Sequence, residues 1–364
     1  MAKVIQTGDL HFGVPGRLQD IVWAARVMRE YAYRHDIFDL FCLGDLFNNR
    51  QALELDAVCA AFDFFEESKK KYGQKWVVFP GNHDMFLKHS WTVNALKPLS
   101  KSMTIISDVK IVKMDEVRFW ILPFIHFERA YMHVLKLIEA QYQPGDVLLT
   151  HIGILGAVKN VCFLLKDWSL VSFHDSPFTQ VYAGHFHVPQ QVGNNVWYTG
   201  SPIPFKFDEG DSSHGFYVYD LETRTHEFVD IWEVGAQYFP NEAPPPNYLT
   251  VSDDALSTIS HHIIDHNIIR VATTRMHTAN EQEQIEKHLL TLGAAAVRWI
   301  NIAGEEELEQ ARSKIAANNN KDAFEIWLQH DADNIKDLNV ALLRQLNRNI
   351  VKEGNERYEY IDED

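Results

Sequence analysis

Lys3-Val4-Ile5-Gln6-Thr7-Gly8-Asp9-Leu10-His11 opens the chain with a short, largely apolar run that ends on a carboxylate and an imidazole. The same arrangement recurs four times. The run 37–43 is followed by Gly44-Asp45, 75–80 by Gly81-Asn82-His83-Asp84, 146–150 by His151, and 179–183 by Gly184-His185-Phe186-His187. Short apolar runs bounded by turn residues predict strands, and 117–122 predicts one more. Between them, 17–34, 52–72 and 128–142 carry helical spacing; Gly73 stops the second, and Pro144-Gly145 follows the third. Strands alternating with amphipathic helices predict an α/β domain. In open α/β sheets the carboxyl ends of the strands form the crevice where ligands bind, so five separate segments are expected to converge at one edge.

The rest of the chain sets the frame. At 364 residues it exceeds one typical domain, which predicts a large domain and a smaller one. A hydrophobic content of 46% suffices for a packed core, and no apolar run is long enough to span a membrane, so a soluble protein is expected. Met1-Ala2-Lys3-Val4-Ile5 leads directly into the first strand and leaves no room for a cleavable signal peptide, which predicts a cytoplasmic location. Cys42, Cys59 and Cys162 are odd in number, widely spaced and in apolar surroundings, as expected of reduced core residues. The net charge is -16, of which -11 falls from residue 232 onward (12 basic against 23 acidic residues). Such a balance argues against gripping nucleic acid by phosphate neutralisation alone, unless bound metals or a partner subunit supply the positive field.

Several short strands in succession over 195–231 predict an antiparallel finish to the first domain, 1–235. The stretch Phe239 to Asn247, with Pro240 and Pro244-Pro245-Pro246, reads as a stiff linker. Beyond it, strands at 268–274 and 296–302 flank a helix at 280–292, and a further helix is predicted at 305–317; together they suggest a small α/β domain, 248–320. The final segment, 321–364, places Ile335, Leu338, Leu342, Leu346 and Ile350 on one helical stripe.

The strand-end residues are carboxylates, imidazoles and one amide, without thiolate, a set that suits manganese, iron or zinc in a reactive site rather than a structural zinc cage. Asp9, His11, Asp45, Asn82, His151, His185 and His187 are too many for one tetrahedral ion but fill two sites if one carboxylate bridges. Asp45 is the natural bridge, because Gly44 before it allows close backbone approach. Two ions about 3.5–4 Å apart can activate a water and clamp a phosphate during in-line attack.

Asp9-x-His11, Gly44-Asp45, Gly81-Asn82-His83-Asp84, His151 and Gly184-His185-x-His187 together resemble the calcineurin-like metallophosphoesterase signature. The resemblance implies a β-sandwich flanked by helices, with a small α/β capping domain and C-terminal helices. It assigns Asp9, His11 and His187 to one ion with Asp45, and Asn82, His151 and His185 to the other. His83 becomes the catalytic histidine, beside the ligands without being one, with Asp84 as its orienting neighbour. Gly44-Asp45-Leu46-Phe47, and Tyr198-Thr199-Gly200-Ser201-Pro202-Ile203-Pro204 followed by Phe207-Asp208-Glu209, are similar to the SbcD-type nuclease subunit of the SbcCD complex, phage versions included. That resemblance implies a Mn2+-dependent DNA exonuclease and endonuclease in repair, recombination or replication, with Mg2+ or Fe2+ as other candidate ions. It also implies a dimer working with an SbcC-like coiled-coil ATPase docked on the C-terminal helices. Asn48 departs from the family, which has Asp or His there; an amide cannot relay a proton, so Asn48 is expected to bond substrate or to orient His83. The alternative is a phosphodiesterase or phosphatase acting on nucleotides or phosphoproteins, although protein phosphatases carry Glu where Asp84 stands. His89, His126, His133, His174 and His214 match no motif and are expected to be structural. Tyr198 to Pro204 reads equally well as a turn or as a substrate edge.

Overall fold

The computed structural model describes residues 2–87, 90–160, 163–164, 171–210, 212–256, 258–273 and 275–301. The predicted helix at 305–317, the 321–364 segment with its apolar stripe, Cys162 and His89 lie outside the described residues. Two compact units are present: 2–205 with 212–245, and 206–210 with 246–301.

The first unit is a mixed α/β sandwich of two six-stranded sheets. In the first sheet the order is His226–Asp230, Gly215–Asp220, Lys3–Thr7, Asp39–Cys42, Lys75–Val78, Thr104–Ile105. Lys3–Thr7, Asp39–Cys42, Lys75–Val78 and Thr104–Ile105 run parallel, while Gly215–Asp220 and His226–Asp230 supply the expected antiparallel finish. The second sheet is ordered Gln190–Val192, Val196–Tyr198, Val181–Gly184, Val147–His151, Val117–Leu122, Lys110–Met114. Strand alternation explains the layering. Val4, Phe41 and Val77 face inward and pack with Phe119, Ile121, Leu149 and Tyr182 of the second sheet. Ile5, Leu40, Cys42 and Val78 face outward and pack against helices.

Those helices form where the apolar spacing predicts them. Leu18–Arg34 buries Ile21, Ala24, Ala25, Val27, Met28 and Ala32 on one side. Leu55–Tyr72 buries Ala57, Ala61, Phe64, Phe65 and Ser68 and ends at Gly73, whose φ of 67° is the left-handed helix stop that glycine adopts without strain. Glu128–Glu139 buries Tyr131, Val134, Leu135 and Ile138. Ile231–Tyr238 is also helical, running past residue 235; Asp230 caps it by accepting from the N–H groups of Trp232 and Glu233. Cys42 is buried as expected, but Cys59 is exposed, because it falls on the solvent side of its helix.

Among the described residues the second unit has three parallel strands, Tyr248–Ser252, Ile268–Thr273 and Ala296–Asn301, with the helix Ala279–Thr291 started by a Thr278/Glu281 capping box. Val251, Ile264, Ile269, Val271, Leu289 and Val297 make its core. Among the described residues no helix is long and apolar enough to cross a membrane.

Candidate metal centre

Parallel strands end on the same side, and that is how distant motifs meet. Asp9 and His11 follow Lys3–Thr7, Asp45 follows Asp39–Cys42, and Asn82 to Asp84 follow Lys75–Val78. In the second sheet His151 is the last residue of its strand and pairs with Gly184, the last of its neighbour, so His185 emerges beside it. The loops are knitted by backbone bonds: Asp9 N–H to Gly44 carbonyl and His11 N–H to Asp45 carbonyl, both at 3.0 Å. Asp9, His11, Asp45 and His185 all have positive φ, between 51° and 105°, a strained backbone for residues with a Cβ. Such strain collects where side chains must be aimed at a function.

Among the described residues two clusters of candidate ligands result, Asp9/His11/His187 and Asp45/His151/His185, each with its ligand atoms within 4.8 Å of one another. His11 Nε2 and His187 Nε2 stand 3.0 Å apart, and His11 Nε2 is 3.9 Å from Asp9 Oδ1. The Asn82 side-chain oxygen lies 3.0 Å from His151 Nε2 and 2.8 Å from His185 Nδ1. The Oδ2 of Asp45 faces both clusters, 3.4 Å from His151 Nε2 and 3.8 Å from His11 Nε2. Ligand atoms held about 2.0–2.2 Å from a common ion stand roughly 3 Å or more from each other, so this donor set fits a pair of divalent cations. The facing nitrogens of His11 and His187 fit as well: two lone pairs at that distance repel unless a proton or a cation lies between them.

The surroundings orient the donors. Nδ1 of His151 donates to the Leu43 carbonyl at 2.7 Å, which turns Nε2 toward Asp45 and Asn82. Both oxygens of Asp9 accept from the His185 N–H, at 3.1 and 3.0 Å, and Asp45 Oδ1 accepts from the His83 N–H at 2.7 Å. There is no room for a side chain at the glycines beside them. A Cβ on Gly81 would fall 2.2 Å from Asp45 Oδ1, and one on Gly44, at φ 90°, would fall 2.6 Å from His151 Nδ1.

Burial and mutual charge shape the electrostatics. Burial works against ionising Asp45, but the imidazoles of His151, His11 and His83 outweigh it and hold the carboxyl well below the usual range. Burial also opposes protonation of His151, yet the Asp45 and Asp9 carboxylates raise it to about 9. His185, buried and beside His151, is pushed down to about 3, and burial lowers His11 well below an ordinary imidazole. Asp9 is raised by burial.

His83 lies outside both clusters, its ring 5.0 Å from that of His11. Its Nδ1 donates to the backbone carbonyl of Asn48 at 2.6 Å. The group that holds the ring is thus a main-chain oxygen, where the sequence suggested Asp84. Asp84 is fully buried and staples loops instead: it accepts from the N–H groups of Gly81 at 3.0 Å, Phe47 at 3.1 Å and Leu46 at 3.3 Å. Burial and the Asp45 charge raise its carboxyl to about 7.

Tyr198 to Pro204 is a buried support. Ser201 N–H donates to the His187 carbonyl at 2.9 Å, Tyr198 Oη to the Ile152 carbonyl at 2.8 Å, and His214, buried as expected, bonds the Ser201 carbonyl. Phe124, which no motif marks, stacks on His185.

Residues 2–189 match the calcineurin-like phosphoesterase family. The chain belongs to that family. Its members use two divalent metals, in keeping with the two clusters here. Among curated relatives, Exonuclease subunit 1 of Enterobacteria phage T4 is 22% identical over 62% of this chain and 67% of its own length. Putative phosphoesterase 244L of Invertebrate iridescent virus 6 is 25% identical over 58% of this chain and 73% of its own. A solved structure described as GAP50, the anchor in the inner membrane complex of Plasmodium, aligns with 63% of this chain and 84% of its own at 12% identity and a TM-score of 0.43.

Proposed function

We propose that this chain hydrolyses DNA phosphodiester bonds as the nuclease subunit of an SbcCD-like complex. In this reading it uses two divalent cations, Mn2+ first among them, and works as a dimer with a coiled-coil ATPase. The observation that carries the hydrolytic part is the single Asp45 oxygen facing both clusters, with His83 standing outside them. DNA as substrate is supported by the similarity to a phage exonuclease subunit, which also suggests a companion subunit. That companion would supply the grip that a net charge of -16 does not.

When bound, the two cations neutralise phosphate charge and supply a nucleophilic water at neutral pH. Asp9, His11 and His187 would hold one and Asn82, His151 and His185 the other, with Asp45 between them. His83 does the proton work. With Nδ1–H committed to the Asn48 carbonyl, Nε2 is the nitrogen left to face substrate, and it donates when the ring is the imidazolium, protonated on both nitrogens. The water gives up a proton to solvent as its oxygen bonds to phosphorus; as the bond to the leaving oxygen breaks, the Nε2 proton of the imidazolium passes to that oxygen, and the neutral ring takes a proton back from solvent. Asn48 contributes through its carbonyl, and Asp84 by fixing the loops on either side of Asp45 and Asn82.

The test is hydrolysis by purified protein, with Mn2+ or EDTA, of linear duplex, single-stranded DNA and a small aryl phosphodiester, with and without an SbcC-like ATPase. Mn2+-dependent cleavage of DNA, lost in Asp45→Asn and His83→Gln, is expected. Turnover of the small ester alone would replace the nuclease reading with that of a nucleotide or phosphoprotein esterase.

A further inference from the structure

Phe205 touches no ligand-binding motif in the sequence, yet its ring meets both imidazoles of one cluster. Its centroid is 5.6 Å from that of His11 and 5.6 Å from that of His187, at interplanar angles of 85° and 81°. Edge-to-face contacts of this kind fix ring rotation, and the buried phenyl also keeps water off that side of the two rings. His11 Nδ1 is buried without a hydrogen-bond partner, so nothing fixes that ring from its far nitrogen as the Leu43 carbonyl fixes His151. Phe205 fixes the His11 ring by shape, together with the His83 ring at 5.0 Å.

We infer that Phe205 is a positioning residue for the His11/His187 half of the metal centre. The inference rests on the two-metal reading above. It separates the halves of the centre: loosening Phe205 weakens the cation held by Asp9, His11 and His187 and spares the one held by Asn82, His151 and His185.

Mn2+ titration of the full chain by calorimetry and electron paramagnetic resonance tests this, with circular dichroism melts to confirm folding. Phe205→Ala is expected to lose about tenfold in affinity at one of two sites, the low end for groups that orient metal-binding histidines. In a His187→Ala background Phe205→Ala should cost nothing further, whereas in a His185→Ala background its loss should persist. Unchanged affinities in Phe205→Ala, or equal losses at both sites, overturn the positioning role. Absence of Mn2+ binding by the wild type would instead defeat the two-metal reading itself.

Discussion

Replacing Gly184 by alanine should damage the metal centre without removing a ligand. The new methyl carbon would lie 2.3 Å from the Leu43 carbonyl oxygen and 2.8 Å from His151 Nδ1, the two atoms whose hydrogen bond at 2.7 Å orients the His151 ring. The nearer contact is about 1 Å inside ordinary van der Waals distance, and its partner is backbone, which cannot swing aside. Overpacking of this kind costs about 1–3 kcal/mol, and loss of the hydrogen bond adds about 1 kcal/mol. For a unit of this size the sum lowers Tm by roughly 5–15 °C. Mn2+ affinity at the His151 site should also fall about 10- to 100-fold, because the imidazole loses the group that fixes its tautomer. Thermal melts in EDTA and Mn2+ titrations read the two effects separately. A variant melting within about 2 °C of wild type, with unchanged Mn2+ affinity, would refute the reasoning.

Other outcomes follow from the same geometry. Asn48→Ala keeps the carbonyl that holds His83, so kcat on DNA should stay within about threefold of wild type; a hundredfold loss would show that the side chain itself does the work. His83→Gln should lower kcat by about 10²–10⁴ while two Mn2+ still bind, since the ring lies outside both clusters; loss of a bound ion would reassign it as a ligand. Asp45 raises His151 to about 9 in the metal-free protein, so below that pH a cation must displace a proton. Mn2+ affinity should therefore climb about tenfold per pH unit between roughly pH 7 and 8.5, with about one proton released on binding. Calorimetry in buffers of different ionisation enthalpy would measure it, and a flat profile would contradict it.

What the sequence made legible was local. The strand at 117–122 and the helices beginning near 18 and 128 appear where their apolar spacing places them, because that spacing records which face is buried. The candidate ligands were legible for a related reason: each stands just past a strand, and parallel strands carry their ends to one edge. The groups that aim those ligands left no such trace. Leu43 reaches His151 across 108 residues, Phe205 reaches His11 across 194, and their chemistry is a carbonyl and a phenyl ring found anywhere in a core. Asp84 shows the limit most plainly: its place in Gly81-Asn82-His83-Asp84 suggested a partner for its neighbour, while its carboxylate is spent on three main-chain N–H groups, two of them 37 and 38 residues away. The hairpin of Met85–Leu87 and Ser90–Asn94, and the strands Lys110–Met114 and Tyr248–Ser252, also went unread, being short or polar on exposed faces.

The proposed chemistry requires that two cations bind with Asp45 between them. Electron paramagnetic resonance of the wild-type chain titrated with Mn2+ tests that directly, since ions about 3.5–4 Å apart are exchange-coupled. Two bound Mn2+ per chain with a coupled spectrum, weakened at both sites in Asp45→Asn, is the expected result. A single bound ion, or two with independent spectra unaffected by Asp45→Asn, would contradict it.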